Sequence, residues 1–379
     1  MDTLLLKNKT AYAKLHVVFI LNAYMQKLQY LQATQEMIPE LTRFLGLSDI
    51  SFWDYEYRNY MPDKSVFSVV LRKGLIVGSQ AYMPYLMNIN GSVLLAGRSE
   101  RTKLDKSLTG GKIFPLLMEN CASHGENKDM AFSWGFTTAK KAFQRAGYYS
   151  FSGFLEHAFL TLDFKNALKS IYAEREKKLR YAKIITLVFS HILSVLFGGA
   201  FHLFKKSKVI TIKKEPLNAH DIARLYERIR GKYSLIHIEQ DNQFIQWAFN
   251  SGKRTYLKYY AYDGNDLVAY VILDITTRDT AYLADFAFIN ASSFYNIWRQ
   301  IRPDLKKIGT GFVRTAYNVK NKILANESKT LHKIGFMPIY RGAIMVVRPL
   351  KFKDINILGD ISAWYVTPFW SILHTTRNR

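Results

Sequence analysis

One order of elements is written in this chain twice, and that repetition constrains its fold more than any other feature. A strand-like piece at 28–34 leads to helical spacing over 35–45 and then to the segment 50–60. Strands follow at 66–71 and 75–87, joined by the tight turn Arg72-Lys73-Gly74, and a third lies at 92–102. A glycine-bearing loop opens a helical run at 113–123. A strand at 130–134 comes next, then a helix at 137–146 stopped by Gly147, and two strands within 148–164.

The second half repeats the order. A strand at 209–213 precedes a helix capped by Asn218-Ala219-His220-Asp221 that ends near Arg230, and a helix at 241–249 follows. Strands at 256–262 and 267–275 form a hairpin about Asp263-Gly264-Asn265-Asp266. Next come a strand at 281–289, a helix at 293–308, a strand at 312–316, a helix at 320–333 stopped by Gly335, and a strand at 343–347. Val77 corresponds to Val268 and Gly147 to Gly335, offsets of 191 and 188 residues. A repeat this long means duplicated domains, because solenoid units recur every 20–50 residues or so.

The expected class is therefore α+β, with mixed central sheets flanked by helices. Two tandem domains, 26–165 and 209–350, are joined by a helical connector at 166–208. Residues 1–25 form an N-terminal extension and 351–379 an aromatic C-terminal tail. Hydrophobic residues make up 49% of the 379, which supports packed cores and excludes global disorder. The single cysteine, Cys121, excludes an internal disulfide framework and fits a reducing, intracellular setting.

The net charge of +23 attracts anions, so its distribution matters. Residues 1–165 hold 19 Lys+Arg against 14 Asp+Glu, a net +5; residues 166–214 hold 11 against 2, a net +9 in a short stretch; the remainder is again +9. The dense part brackets 184–204, which contains no formal charge and is long enough to cross a bilayer core as a helix. Three readings stay open for it: a helix docked between domains, an interfacial helix on an anionic membrane face, and a span. A span would separate two domains that share one site. Nucleic acid ranks behind these, because the charge peak lies around apolar sequence and not in a groove studded with aromatics. The run at 15–25 mimics a signal peptide, but it contains His16 and Asn22 and no cleavage motif follows it.

Several motifs resemble the GNAT family of acyl-CoA-dependent N-acyltransferases: GLIVGSQ at 74–80, RTKLDKSLTGGKIF at 101–114 and WGFTTAKKAFQRAGY at 134–148. DLVAYVIL at 266–273 and NESKTLHKIGF at 326–336 look like a diverged second copy. The resemblance implies an acyl-CoA co-substrate, acetyl-CoA or a longer homologue, and no metal. It implies that the pyrophosphate sits at the loop before the helix at 113, where backbone N–H groups and the helix N-terminus form a cradle. Ser99, Arg101, Thr109, Gly110, Gly111, Lys112, Ile113 and Phe114 are the candidate cofactor residues. The loop departs from the family pattern Q/R-x-x-G-x-G/A, with Thr109, Lys112 and Phe114 at the three signature positions. A nucleotide P-loop is excluded, because Lys112 is followed by Ile113 and no glycine stands five residues before Gly111.

The family places the acyl group in a gap between the strands matching 92–102 and 130–134. Glu100 is the candidate general base for an ammonium substrate, with an ion pair to Arg98 or Lys103 as the structural alternative. The family's usual tyrosine acid falls on Phe143. Tyr148 and His157 are further catalytic candidates, with a core role for Tyr148 and a structural hydrogen bond for His157 as the alternatives. Glu156, Asp285, Arg314 and Tyr317 are the candidate lining of a groove between the domains. The second copy lacks a glycine loop and reads as a partner wall without CoA.

The leading expectation is an N-acetyltransferase acting on a small-molecule or lipid-linked amine. Resemblance to members from bacterial surface-polysaccharide and lipid pathways points to an amino sugar. A cytoplasmic protein is expected, touching the inner membrane face at most through 184–204. The alternatives are a Fem-type aminoacyl-tRNA-dependent transferase, also a tandem GNAT fold, and a non-catalytic acyl-CoA-binding module or scaffold.

Overall fold

Among the described residues thirteen strands join one sheet. The computed structural model describes residues 28–47, 60–108, 112–173, 211–214, 216–230, 235–250, 254–277, 279–352 and 354–370, with positions 184, 188 and 192. The N-terminal extension, the segment 50–60 apart from Tyr60, the glycines at 110 and 111 with Thr109, and nearly all of 184–204 lie outside the described residues.

The first half supplies β1 (Leu28–Gln32), β2 (Val66–Arg72), β3 (Leu75–Ile89), β4 (Ser92–Leu104), β5 (Phe132–Thr137) and β6 (Tyr149–Thr161). Its helices are α1 (Ile38–Leu45), α2 (Ile113–Asn127), α3 (Lys140–Arg145) and α4 (Phe164–Ala173). The second half supplies β7 (Thr211–Lys213), β8 (Ile236–Ile238), β9 (Tyr256–Asp263), β10 (Asp266–Asp274), β11 (Thr280–Phe288), β12 (Phe312–Asn318) and β13 (Met337–Pro349). Its helices are α5 (Ala219–Arg230), α6 (Asn242–Phe249), α7 (Ala291–Ile308), α8 (Lys322–Ile334) and α9 (Ile355–Gly359). Where two strands were expected within 148–164, the chain makes one, β6, and Gly153 at φ 71° takes up a bulge in it.

The sheet order is β1-β2-β3-β4-β5-β13-β6-β12-β11-β10-β9-β7, with β8 attached to β3. Read inward from either edge, the two lists correspond strand for strand. The pairs β4·β5 and β11·β12 are parallel, and every other pair on that path is antiparallel. The middle holds an exchange. β13, from the end of the second half, pairs with β5 through Val347↔Trp134. β6, from the end of the first, pairs with β12 through His157↔Ala316. The two halves are thus stitched into a single sheet through each other's last strands.

Asn218 caps α5 as expected, its Oδ1 accepting from Asp221 N at 3.2 Å, and further caps form locally. The side chains of Asp241, Asn290 and Asn321 accept backbone N–H groups at the starts of α6, α7 and α8, and Gly335 at φ 104° ends α8. These helices lay apolar faces on the sheet; Trp298 of α7 meets Phe336 at 5.3 Å and Phe294 meets Phe288 at 4.6 Å. The C-terminal segment also belongs to the core. Trp364, Tyr365 and Trp370 are fully buried, with Trp370 4.4 Å from Trp134 and Phe369 5.4 Å from Phe244. Each such ring removes roughly 150–250 Å² from water. Among the described residues no helix is long and apolar enough to cross a membrane.

Candidate active site

The parallel ladder between β4 and β5 is short. It runs Ala96↔Phe132, Gly97↔Ser133, Arg98↔Trp134 and stops, although β4 continues to Leu104 and β5 to Thr137. Beyond it β4 carries an extra residue. Ser79 opposes Lys103 and Ala81 opposes Glu100, so three steps on β4 face two on β3. This bulge puts Arg101 at φ 55°, a left-handed conformation uncommon for a residue with a side chain. Gln80 pins it: its amide donates to Ser99 Oγ at 2.9 Å and its carbonyl oxygen accepts from Thr102 Oγ1. Ser79 Oγ donates to the Arg101 carbonyl at 2.8 Å. Gly135 stands where the strands part, and a Cβ there would lie 2.7 Å from Ser99 O, so no larger residue fits without movement.

The widening is a cleft of about 480 Å³. Its walls are β4 from 98 to 103, residues 136–139 at the end of β5, the turn 45–47, Phe114 and Phe143. Ser99, Glu100, Arg101 and Phe114, all expected in the site, therefore meet here. Glu100 Oε1 lies 2.9 Å from Arg98 Nε, with both side chains buried. Arg98 also donates through Nη2 to the Trp370 carbonyl at 3.0 Å and sits 5.4 Å over the Trp134 ring. Arg98 and Glu100 are two apart on a strand, which puts them on one face, so their pairing is readable from spacing. The contributions of Gln80 and Trp370 carry no such signal, because both arise from distant pairing.

Lys112 is exposed and stands at the N-cap of α2, and its side chain makes no capping hydrogen bond to that helix. Ile113 points inward, packed with Leu28, Val70, Val77, Leu108 and Leu117, so only its backbone faces an anion. Phe143 meets Phe114 edge to face at 5.3 Å on the cleft side and Tyr148 at 5.1 Å on the core side. Tyr148 itself is buried behind that wall. Its hydroxyl bonds Tyr82 at 2.7 Å and Ser133 at 3.1 Å, and burial pushes its pKa up to about 12. His157 is half-buried on β6, opposite Ala316 and outside the cleft. The structure does not bring Tyr148 or His157 to the cleft.

The second half repeats the divergence but fills it. The β11·β12 ladder ends at Tyr282↔Arg314, and a bulge separates Leu283 from Asp285. At the end of β12, Asn318 N donates to Val366 O, and its side chain to the carbonyls of Ile361 and Trp364, all in the C-terminal segment. Behind these lie two buried acids. Asp285 accepts from Tyr270 at 2.9 Å and Gln240 at 3.3 Å; Glu327 accepts from Tyr365 at 3.4 Å. Burial pushes Asp285 up to about 7; burial, helped by the Asp285 charge, pushes Glu327 up to about 8. Asp285 is wholly inside the protein, and Arg314 lies along the Phe312 ring at 4.9 Å. Glu156 and Tyr317, from different halves, do meet: the Tyr317 hydroxyl donates to Glu156 Oε1 at 3.2 Å. His332, absent from the sequence reading, stands 3.3 Å from the same hydroxyl.

Among the described residues no group of His, Cys, Asp and Glu is arranged to hold a metal ion. The sequence matches no protein-family model and no curated protein. Solved structures do match. A conserved protein of unknown function from Enterococcus faecalis superposes with a TM-score of 0.58 at 10% identity, over 86% of this chain and 73% of that one. A GCN5-related N-acetyltransferase from Anabaena variabilis gives 0.57 at 13%, over 84% and 72%. Saccharomyces cerevisiae N-myristoyltransferase with bound myristoyl-CoA gives 0.54 at 8%, over 86% and 83%. The chain therefore has the GNAT-type acyltransferase fold.

Proposed function

We propose that this chain is an acyl-CoA-dependent N-acyltransferase working in the cleft between β4 and β5. The observation that carries the reading is the divergence itself: parallel strands part at Arg98↔Trp134 beside a pinned bulge, with an uncapped helix start following the same strand. An extended acyl-pantetheine arm fits such a widening, and the N-terminus of α2 suits its pyrophosphate. The proteins of like fold from Anabaena and yeast are an N-acetyltransferase and an N-myristoyltransferase.

The CoA thioester supplies the activated acyl group. In this scheme Glu100, held by Arg98, takes the proton of an ammonium acceptor, directly or through a water. The amine nitrogen then attacks the acyl carbon, loses its second proton to solvent as the C–S bond breaks, and the thiolate takes a proton from solvent because Phe143 offers none. The proposed acceptor is an amino sugar of a surface polysaccharide or a lipid-linked precursor, on the strength of the sequence resemblance. A contact of 184–204 with an anionic membrane face would bring such a precursor near.

Calorimetry with acetyl-CoA and myristoyl-CoA tests the binding step, and turnover with an amine panel tests the chemistry. Absence of binding to either thioester sinks the reading. One observation favours a second reading, an acyl-CoA-binding protein without turnover: the phenyl ring of Phe143 at the acid position. Binding without transfer to any amine would select it. Flotation with and without 184–204 tests the membrane contact.

A further inference from the structure

A second cleft, about 930 Å³, opens where Asn88, Asn90 and Gly91 of the first half meet residues 220–242 of the second, and it shares no lining residue with the first cleft. Its lining includes His220, Arg224, Glu227 and Arg230 from α5, His237 from β8, and Gln240. We propose that this cleft is a separate ligand site that takes a small oxyanion, a carboxylate or a phosphate, on the guanidinium of Arg230.

Arg230 is the last residue of α5 and only 5% exposed. One face of its guanidinium lies on the Tyr226 ring, 3.0 Å from the centroid. Nε donates to the Tyr226 carbonyl at 3.1 Å, and Nη1 to His237 Nδ1 at 2.6 Å and the Ile238 carbonyl at 3.4 Å. Nη2 makes no hydrogen bond among the described residues, and none of their carboxylates lies within 4.0 Å of the group. The segment that follows, 231–234, reads Gly-Lys-Tyr-Ser and holds no carboxylate. Asp285 and Glu239 each interact with the Arg230 charge at a distance, without contacting it. A buried cation with no carboxylate in contact is costly, and buried charges are ordinarily paired. Here the free edge of the cation belongs to a residue that lines a cleft.

His237 supports the same end. Arg230 can only donate, so Nδ1 of His237 accepts, although it also lies 3.0 Å from the Ile238 carbonyl. Burial and the Arg230 charge push its pKa down to about 3, so the ring is neutral and its proton sits on Nε2. The site thus offers a fixed cation and a ring N–H. Glu227, Glu239 and Asp241 line the same cleft, which disfavours a polyanion and suits a small ligand that also carries an amine or hydroxyl donor. Fork geometry on a planar guanidinium serves carboxylate and phosphate alike.

The test is calorimetry on the full chain at about 0.15 M salt, with glycine, inorganic phosphate and phosphoethanolamine as probes. Saturable binding of at least one is expected; glycine alone marks a carboxylate site, the other two a phosphate site. Arg230→Met is expected to weaken that binding at least about tenfold while acetyl-CoA binding stays unchanged, which separates this site from the transferase reading. In wild type, saturation is expected to shift the His237 ring nitrogens in NMR spectra, a readout that needs no variant. No saturable binding of any probe, equal affinity in a folded Arg230→Met protein, or unmoved His237 resonances at saturation would each overturn the proposal.

Discussion

Arg98 and Glu100 face the same side of β4 and meet at 2.9 Å, with side chains 2% and 5% exposed. The pair sits at the point where β4 leaves β5, and its outer anchor is the carbonyl of Trp370, 272 residues along the chain. Removing one member leaves the other charged in a dry place, which typically costs about 3–5 kcal/mol. Glu100→Gln is expected to abolish turnover and to lower unfolding free energy by about that much. Arg98→Met/Glu100→Gln should recover much of the stability and none of the activity. Denaturant titration and acyl transfer, measured on the same preparations, check both halves.

Gly135 has a separate role at that point. A Cβ 2.7 Å from Ser99 O forces the two backbones apart. Gly135→Ala is expected to cost about 1–3 kcal/mol and to weaken acyl-CoA binding, because the mouth of the cleft moves. Calorimetry showing unchanged acetyl-CoA affinity in a destabilised Gly135→Ala protein would detach the divergence from the ligand.

Trp370 closes the inner end. Trp370→Ala keeps the carbonyl that holds Arg98 but removes a ring that packs tilted 4.4 Å from Trp134 and edge-on 6.1 Å from Trp364. A loss of about 3–5 kcal/mol is expected from thermal or denaturant unfolding. A near-neutral result would show that the C-terminal segment docks loosely.

The buried acids give a pH signature. Asp285 titrates near 7 and Glu327 near 8 when folded, against ordinary values near 3.8 and 4.5 when unfolded. The folded state therefore binds more protons than the unfolded one between about pH 4 and pH 8, so these groups lower stability as pH rises through that window. Their effect is absent below pH 4, and the slope is on the order of 1.4 kcal/mol per pH unit for each group fully engaged. Asp285→Asn should flatten that slope relative to wild type. Unfolding free energies measured from pH 4 to 9 on both proteins decide it; parallel curves would show that Asp285 stays ionised.

Much of this was legible in the chain because it is local. Caps at Asp241 and Gly335, the hairpin at 263–266 and the near-continuous apolar runs of β3 and β10 each declare themselves within a few residues. The same-face spacing of Arg98 and Glu100 is local too. The choice of partner is not. Nothing in 337–349 says that it pairs with β5 and not with β12, and no periodicity announces that Trp370 reaches Arg98. The sequence marks 351–379 only as an aromatic tail, and nothing in it says that Trp364, Tyr365 and Trp370 enter the core. Asp285 looked like a groove residue because strand ends carry polar groups; the tyrosines that enclose it come from β10, α5 and the tail, far apart in sequence.

The exchanged strands also set a schedule. The edge of β5 that borders the cleft on one side is covered on the other only by β13, whose residues are made last but for the tail. A ribosome that has finished the first half has released a sheet with an open edge, and that edge waits for nearly two hundred further residues. The half whose own opening is blocked is therefore not dispensable: it delivers the strand without which the other half cannot close.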